Sequence, residues 1–234
     1  MTRTLLALVA LTLAGTAQSA TEWVSGTHYT VIPAQRTSVP AGKVEVMEVF
    51  SYGCPACNGF RPVMKKIKAA LPPNAQLVYL PASWHPEENW PLFQRAFLTA
   101  QSLGVAEKAH DAMFDAIWTT SELAVIDTNN KPKKPLPSIE DAARFYQRVT
   151  GVKAADFVAA SKSFGVDLKM RQADSQITAM QVSGTPTIVV AGKYRVNNEH
   201  IQTADQIVEL VKFLVAKESG AAAPAAVAPA AKKP

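Results

Sequence analysis

A run rich in β-formers, Val44-Glu45-Val46-Met47-Glu48-Val49-Phe50, leads through Ser51-Tyr52-Gly53 into Cys54-Pro55-Ala56-Cys57. From Pro55 the pattern turns helical: Phe60, Val63, Met64, Ile67 and Leu71 recur at helical spacing until Pro72-Pro73-Asn74. Ala75 to Leu80 then reads as a second strand. A strand that hands over to a helix at a cysteine pair restricts the fold more than any other feature of the chain. It defines a β-α-β unit with a dithiol at the helix start. Pro62 lies inside the helical run and is expected to kink it, because proline lacks an N–H and crowds the preceding turn.

Cys54 and Cys57 are the only cysteines in the sequence. A disulfide across two intervening residues closes almost no loop, so its value is chemical rather than structural. Only the thiolate attacks a disulfide or leaves one readily, and a free cysteine with a pKa near about 8.5 is mostly protonated at neutral pH. At a helix N-terminus, unpaired N–H groups and the positive end of the helix dipole favour the anion. Cys54 is therefore the expected attacking thiol, and Cys57, one turn on and facing inward, the resolving thiol. A purely structural or accidental pair is one competing reading, and half of a zinc site is the other. It needs four ligands, and the four histidines His28, His85, His110 and His200 lack ligand spacing, so no metal is expected.

After Pro81 the pattern is helical for some distance. Asn89 can cap a helix carrying Trp90, Phe93, Phe97 and Leu98 as far as Gly104. A second helix is expected over Ala106 to Trp118. Ser138-Ile139-Glu140-Asp141 resembles a capping box and opens a third, a fourth covers Ala154 to Ser163, and a longer one covers Val166 to Gln181. Strand signals return at Pro186 to Ala191, followed by a turn at Gly192-Lys193 and a partner strand at Tyr194-Arg195-Val196. Thr203-Ala204-Asp205-Gln206 caps a last amphipathic helix with Ile207, Leu210, Val211 and Leu214 on one face. Strands early and late around a helical block imply an α/β body with an all-helical insertion. Trp84, Trp90, Phe93, Trp118 and Met113 are read as core packing in preference to a hydrophobic substrate rim.

Both ends fall outside that body. Arg3, the short apolar run Leu5 to Leu13 and the small residues Ala17-Gln18-Ser19 read as a signal peptide over residues 1–20, too short to span a bilayer. Residues 218–234, nearly all Ala, Pro and Lys from Gly220 on, read as a disordered tail. The formal net charge of +5 falls to +4 without Arg3 and to +2 without Lys232 and Lys233. The densest basic run, Lys131-Pro132-Lys133-Lys134-Pro135, has no interleaved aromatics, so nucleic acid is not an expected partner.

The segment Val46 to Cys57, together with Val182-Ser183-Gly184-Thr185-Pro186-Thr187, closely resembles the DsbA-type thiol:disulfide oxidoreductases of the bacterial periplasm, over roughly residues 42 to 216. The resemblance implies a thioredoxin fold, discontinuous over 21–82 and 167–217, with a helical insertion at 83–166. It implies that the Thr185–Pro186 bond is cis and that the Thr185 backbone pairs with an extended substrate chain. It also places Glu48 beneath the active site as a proton relay for Cys57. Glu45, on the other side of the strand, is the poorer candidate. Between the cysteines stands Pro55-Ala56, where the best-known members have Pro-His. Ala56 removes one source of thiolate stabilisation and implies a less oxidising couple.

The expected activity is donation of the Cys54–Cys57 disulfide to reduced secreted proteins, with no cofactor besides that disulfide. The resemblance further implies a DsbB-type membrane oxidase as partner, and a periplasmic monomer is expected. A periplasmic reductase or isomerase, or a thiol-independent peptide-binding chaperone, is the alternative.

Overall fold

A computed structural model describes residues 22–127, 129 and 131–220. Five strands form one sheet: β1 (Tyr29–Val31), β2 (Val44–Phe50), β3 (Ala75–Pro81), β4 (Thr187–Val190) and β5 (Tyr194–Val196), in the order β1-β5-β4-β2-β3. β2 pairs in parallel with β3 across the helix α1 (Pro55–Ala70) and antiparallel with β4. All seven residues of β2 are buried, as a central strand covered on both faces requires.

Alternation along β2 divides the molecule into two cores. Val44 and Val46 face Met64 and Ile67 of α1 and Leu210, Val211 and Leu214 of α7 (Ala204–Ser219). Met47 and Val49 face the helical half: α2 (Trp90–Ser102), α3 (Ala106–Trp118), α4 (Ile139–Thr150), α5 (Ala154–Ser161) and α6 (Phe164–Ala179). This is a thioredoxin-type sheet with the helical insertion between β3 and β4.

Local sequence explains most element ends. Ser138 with Asp141, and Thr203 with Gln206, form reciprocal capping boxes on α4 and α7. α1 runs unbroken through Pro62. Gly192, at φ +62°, turns β4 into β5, and a Cβ there would stand 2.6 Å from the Gln35 carbonyl oxygen, so only glycine fits.

Several boundaries differ from expectation. Asn89 stands before α2 at φ 64°, but its side chain donates to the Pro137 carbonyl instead of capping the helix. α5 stops at Ser161 because Ser163 caps the next helix, accepting the Val166 N–H, so α6 begins at Phe164. The expected domain boundary at 166/167 thus falls inside α6, which packs against both α2 and β3. α7 runs through Ser219 to Gly220, at φ 66°, so residues 218 and 219 are helix rather than tail. Strand β1 had no counterpart among the expected elements: three residues are too few for alternation to register. The expected signal peptide, residues 1–20, and residues 221–234 of the expected tail lie outside the described residues.

Candidate active site

Pro55 opens α1, where the missing N–H costs nothing, and Cys54 is its N-cap at φ −86°, ψ 117°. From that position the Cys54 sulfur accepts the Cys57 N–H at 3.4 Å. The two thiols are free and buried, and their fates diverge. A hydrogen bond from the Cys57 thiol, then the Thr185 side chain and the Cys57 and Ala56 N–H groups, outweigh burial and bring the Cys54 pKa down to about 6. The hydrogen bond to the Cys54 sulfur, then burial and the negative charge of Cys54, push the Cys57 thiol far up. At neutral pH the outer sulfur is an anion and the inner one a thiol. Pro55 and Ala56 are exposed, so the dipeptide between the cysteines faces whatever binds.

The Thr185–Pro186 bond is cis, and the Thr185 carbonyl lies 3.5 Å from the Cys54 sulfur, 131 residues away in sequence. The bend is held on both sides: the Thr187 hydroxyl donates to the Gly184 carbonyl at 2.7 Å, and the Asn198 amide donates to the Pro186 carbonyl at 3.3 Å. The structure therefore brings together Cys54, Cys57, Thr185 and Pro186.

The turn preceding Cys54 is tied to the helical insertion. Cys54 N–H donates to the Ser51 carbonyl and Gly53 N–H to the Ser51 hydroxyl, both at 3.2 Å. Trp118 Nε1 donates to the Tyr52 carbonyl at 2.8 Å, and the Tyr52 hydroxyl is 3.0 Å from His110 Nδ1. A Cβ on Gly53 would stand 2.7 Å from the Trp90 indole, so this glycine is required by close approach. Trp90 stacks on Trp84, which stays 37% exposed at the rim. Of the aromatics read as core, Trp90 and Phe93 are buried, Trp118 is half-buried and Trp84 is not core at all.

Glu48 lies in β2 between Tyr79 of β3 and Ile188 of β4, and it is buried. Burial first, and the Cys54 charge second, raise its pKa to about 8, so at pH 7 it holds a proton. Among the described residues none donates a hydrogen bond to it. Instead it borders a cavity of about 100 Å³ shared with Met64, Tyr79, His110 and Phe114. The half-buried Arg61 and Asp111 also line that cavity, and exposed Lys65, Lys68 and Glu107 mark its open side. The volume suffices for water between a carboxyl, a phenol and an imidazole. Glu45 is equally buried but accepts from the Ser38 N–H and hydroxyl, both at 2.7 Å.

Sequence reasoning missed Tyr52, His110 and the Glu48 cavity. His110 and Tyr52 are 58 residues apart, and no local pattern signals their pairing. A larger apolar groove of about 580 Å³ runs along the free edge of β3 beside α2 and α3, and neither cysteine nor Thr185 lines it. Among the described residues no group of three or more His, Cys, Asp or Glu side chains is arranged to hold a metal ion.

The profile of the DSBA-like thioredoxin domain matches residues 45–210. A thiol:disulfide interchange protein DsbA of Pseudomonas aeruginosa is 32% identical over 215 residues, covering 92% of this chain and 95% of the relative. The DsbA of Pseudomonas syringae pv. tomato is 33% identical over 211 residues, covering 87% and 92%. A crystal structure of a Pseudomonas aeruginosa DsbA variant superposes with a TM-score of 0.73 at 32% identity, covering 86% of this chain and all of the other. The oxidoreductase DsbA of Xylella fastidiosa gives a TM-score of 0.71 at 31% identity, covering 83% and 96%.

Proposed function

The chain belongs to the family of DSBA-like thioredoxin domains, and we propose that Cys54, Cys57, Glu48 and the Thr185–Pro186 bend divide its catalytic labour as follows. The protein is a thiol:disulfide oxidoreductase that introduces disulfides into reduced proteins. In the oxidised enzyme a substrate thiolate attacks the Cys54 sulfur. The new bond joins substrate to Cys54, and the electron pair of the Cys54–Cys57 bond leaves on the Cys57 sulfur. A second substrate thiolate then attacks the substrate sulfur of the mixed disulfide and expels Cys54 as a thiolate. Two substrate thiols become one disulfide, and the enzyme gains two electrons. In reverse, Cys54 attacks and Cys57 resolves.

The observation that carries this reading is the asymmetry of the pair. Cys54, pulled down to about 6, leaves readily as an anion, whereas burial and its neighbour make Cys57 demand a proton. Glu48, protonated up to about 8, supplies that proton and takes it back when the disulfide is regenerated. The cavity beside it lets the proton exchange with solvent. The Thr185 backbone beside the Cys54 sulfur lines up an extended substrate chain as an added strand.

The leader-like residues 1–20 support export to an oxidising compartment, the periplasm, where the substrates are reduced secreted proteins. Turnover there needs reoxidation, for which a DsbB-type membrane oxidase is the partner, and the working unit is a monomer. The redox centre is the disulfide itself, with no further cofactor. Among the described residues no helix is long and apolar enough to cross a membrane.

Oxidation of a reduced two-cysteine peptide tests the scheme. The disulfide form of the protein should oxidise the peptide stoichiometrically, Cys54→Ala should abolish the transfer, and reduced Cys57→Ala, offered the peptide in its disulfide form, should exchange into a mixed disulfide on Cys54 that it cannot resolve. A Cys54→Ala protein that prevents aggregation as well as wild type, beside a wild type that oxidises nothing, would replace this reading with the chaperone.

A further inference from the structure

His110 is the one buried histidine, and the chemistry of the dithiol does not use it. It sits on α3 inside an aromatic cluster, with ring centroids 5.1 Å from Phe50, 4.1 Å from Tyr79 and 5.4 Å from Phe114. A hydrophobic side chain would fill that place without the cost of desolvating an imidazole. Burial lowers its pKa to about 4, so the ring is neutral at working pH. With the neutral ring assigned as the Nε2–H tautomer, Nδ1 accepts the Tyr52 O–H at 3.0 Å, its side-chain hydrogen bond among the described residues, while the buried Tyr146 hydroxyl faces the same Tyr52 oxygen.

Tyr52 stands two residues before the nucleophile. Its carbonyl is held from α3 by Trp118, and the residue between it and Cys54 is Gly53, against which Trp90 packs. The turn it begins is closed by the Cys54 N–H on the Ser51 carbonyl. On this turn depends the extended conformation of Cys54, with ψ 117°, that aims its sulfur at the Cys57 N–H. An N-cap that rotates out of this conformation loses the donors that favour its anion.

We propose that His110 is a positioning residue of the redox site. Through the Tyr52 hydroxyl it holds the turn Ser51–Cys54 in the form that lets the Cys54 sulfur cap α1. The helical insertion thereby takes part in setting the reactivity of a thiol that belongs to the sheet domain. The inference rests on the reading of Cys54 as the reactive thiolate.

The test is the titration of Cys54 in the reduced protein, followed by thiolate absorbance against pH. His110→Phe keeps a ring and removes the acceptor; Tyr52→Phe removes only the hydroxyl. Each should lower the thiolate-to-thiol ratio at pH 6 about three- to tenfold, a rise of roughly half to one pH unit. The double variant should move no further than Tyr52→Phe alone, because the bond that His110→Phe breaks is already gone once the Tyr52 hydroxyl is removed. His110→Asn, whose Oδ1 replaces Nδ1 as acceptor, should recover most of the shift. Should His110→Phe fail to fold, Tyr52→Phe carries the test alone. Folded variants whose Cys54 titrates as in wild type, or a double variant whose shift is the sum of the singles, would overturn the proposal. A wild-type Cys54 titrating near about 8.5 would instead overturn the reactive-thiolate reading itself, and this inference with it.

Discussion

The two ends of β2 each bury a carboxylate, and the two have been treated in opposite ways. At the start of the strand Glu45 accepts both the N–H and the hydroxyl of Ser38, a neighbour seven residues upstream. At its end Glu48 has no donor among the described residues, a cavity of about 100 Å³ beside it and Cys54 close enough to raise its pKa. Burial alone therefore does not mark a functional acid. A carboxylate whose charge is met by fixed donors is structural, while one left unpartnered beside an open cavity and a thiol can gain and lose a proton. The unmet carboxylate is destabilising whenever it ionises, and that cost persists at the one place where a mobile proton is useful.

The sharpest way to break this contrast is Glu48→Gln. The amide keeps the shape and cannot move a proton, so reduction of the protein disulfide by a dithiol at pH 7 should slow by about a hundredfold. Stability should move the other way. Folding raises the Glu48 pKa from the ordinary carboxylate range to about 8, so between these values the folded state binds a proton that the unfolded state does not. Its contribution is complete at low pH and is lost as pH rises toward and through about 8, by a few kcal/mol in all. The urea midpoint of wild type minus that of Glu48→Gln should fall from pH 5 to pH 8, because the opposite trends of His110 and Cys54, whose pKa values folding lowers, are common to both proteins. Equal slopes would mean that Glu48 ionises freely, and the distinction from Glu45 would collapse.

Glu45→Ala should do the reverse. Removing the acceptor leaves the Ser38 N–H and hydroxyl without their partner, at a cost of about 2 kcal/mol in urea unfolding. The rate of peptide oxidation should be unchanged once the protein is folded. A large loss of rate would show that both carboxylates serve the dithiol.

How much of this was legible in the sequence follows the same division between local and distant interactions. The capping boxes at Ser138 and Thr203, the strand before Cys54 and the helix after it were readable because each is written within a few residues. The Thr185–Pro186 bend came only from resemblance, since nothing local in Gly184-Thr185-Pro186 points across 131 residues to Cys54, and Glu48 stood out as a carboxylate in a strand expected to be buried, with its role coming from resemblance. Strand β1, the Ser38–Glu45 contact and the Tyr52–His110 pair were out of reach. β1 is too short for alternation, and the other two depend on which loop or helix folds over which strand. A histidine without ligand spacing looks idle in a sequence; only the fold shows the phenol it faces.

A smaller effect should come from the exposed side of the dithiol. Ala56→His places an imidazole beside the outer sulfur, where its cationic form stabilises the Cys54 thiolate. Each unit by which the Cys54 pKa falls favours the reduced form by about 1.4 kcal/mol, or about 30 mV in reduction potential. The variant should therefore be more oxidising in a glutathione equilibrium by tens of millivolts. An unchanged potential would place the control of oxidising power in the Cys57 thiol, the Thr185 side and the helix N–H groups.

The subtlest difference concerns the coupling of Glu48 to the redox state. Part of the rise in its pKa comes from the negative charge on Cys54, the smaller cause after burial. Forming the disulfide removes that charge and leaves the burial in place. Glu48 should therefore titrate at lower pH in the oxidised protein than in the reduced one, by less than the rise that burial maintains in both. For the proposed relay the direction is the useful one: on reduction, as Cys54 becomes an anion, Glu48 becomes the weaker acid, and a Glu48 that had given its proton to Cys57 would be best recharged from solvent. Infrared difference spectra of the carboxyl band, recorded against pH in both redox states, can follow it. A band lost in Glu48→Gln and kept in Glu45→Gln assigns the group. Identical titration in the two states would show that Cys54 and Glu48 do not sense each other, and the proton would then have to reach Cys57 by another path.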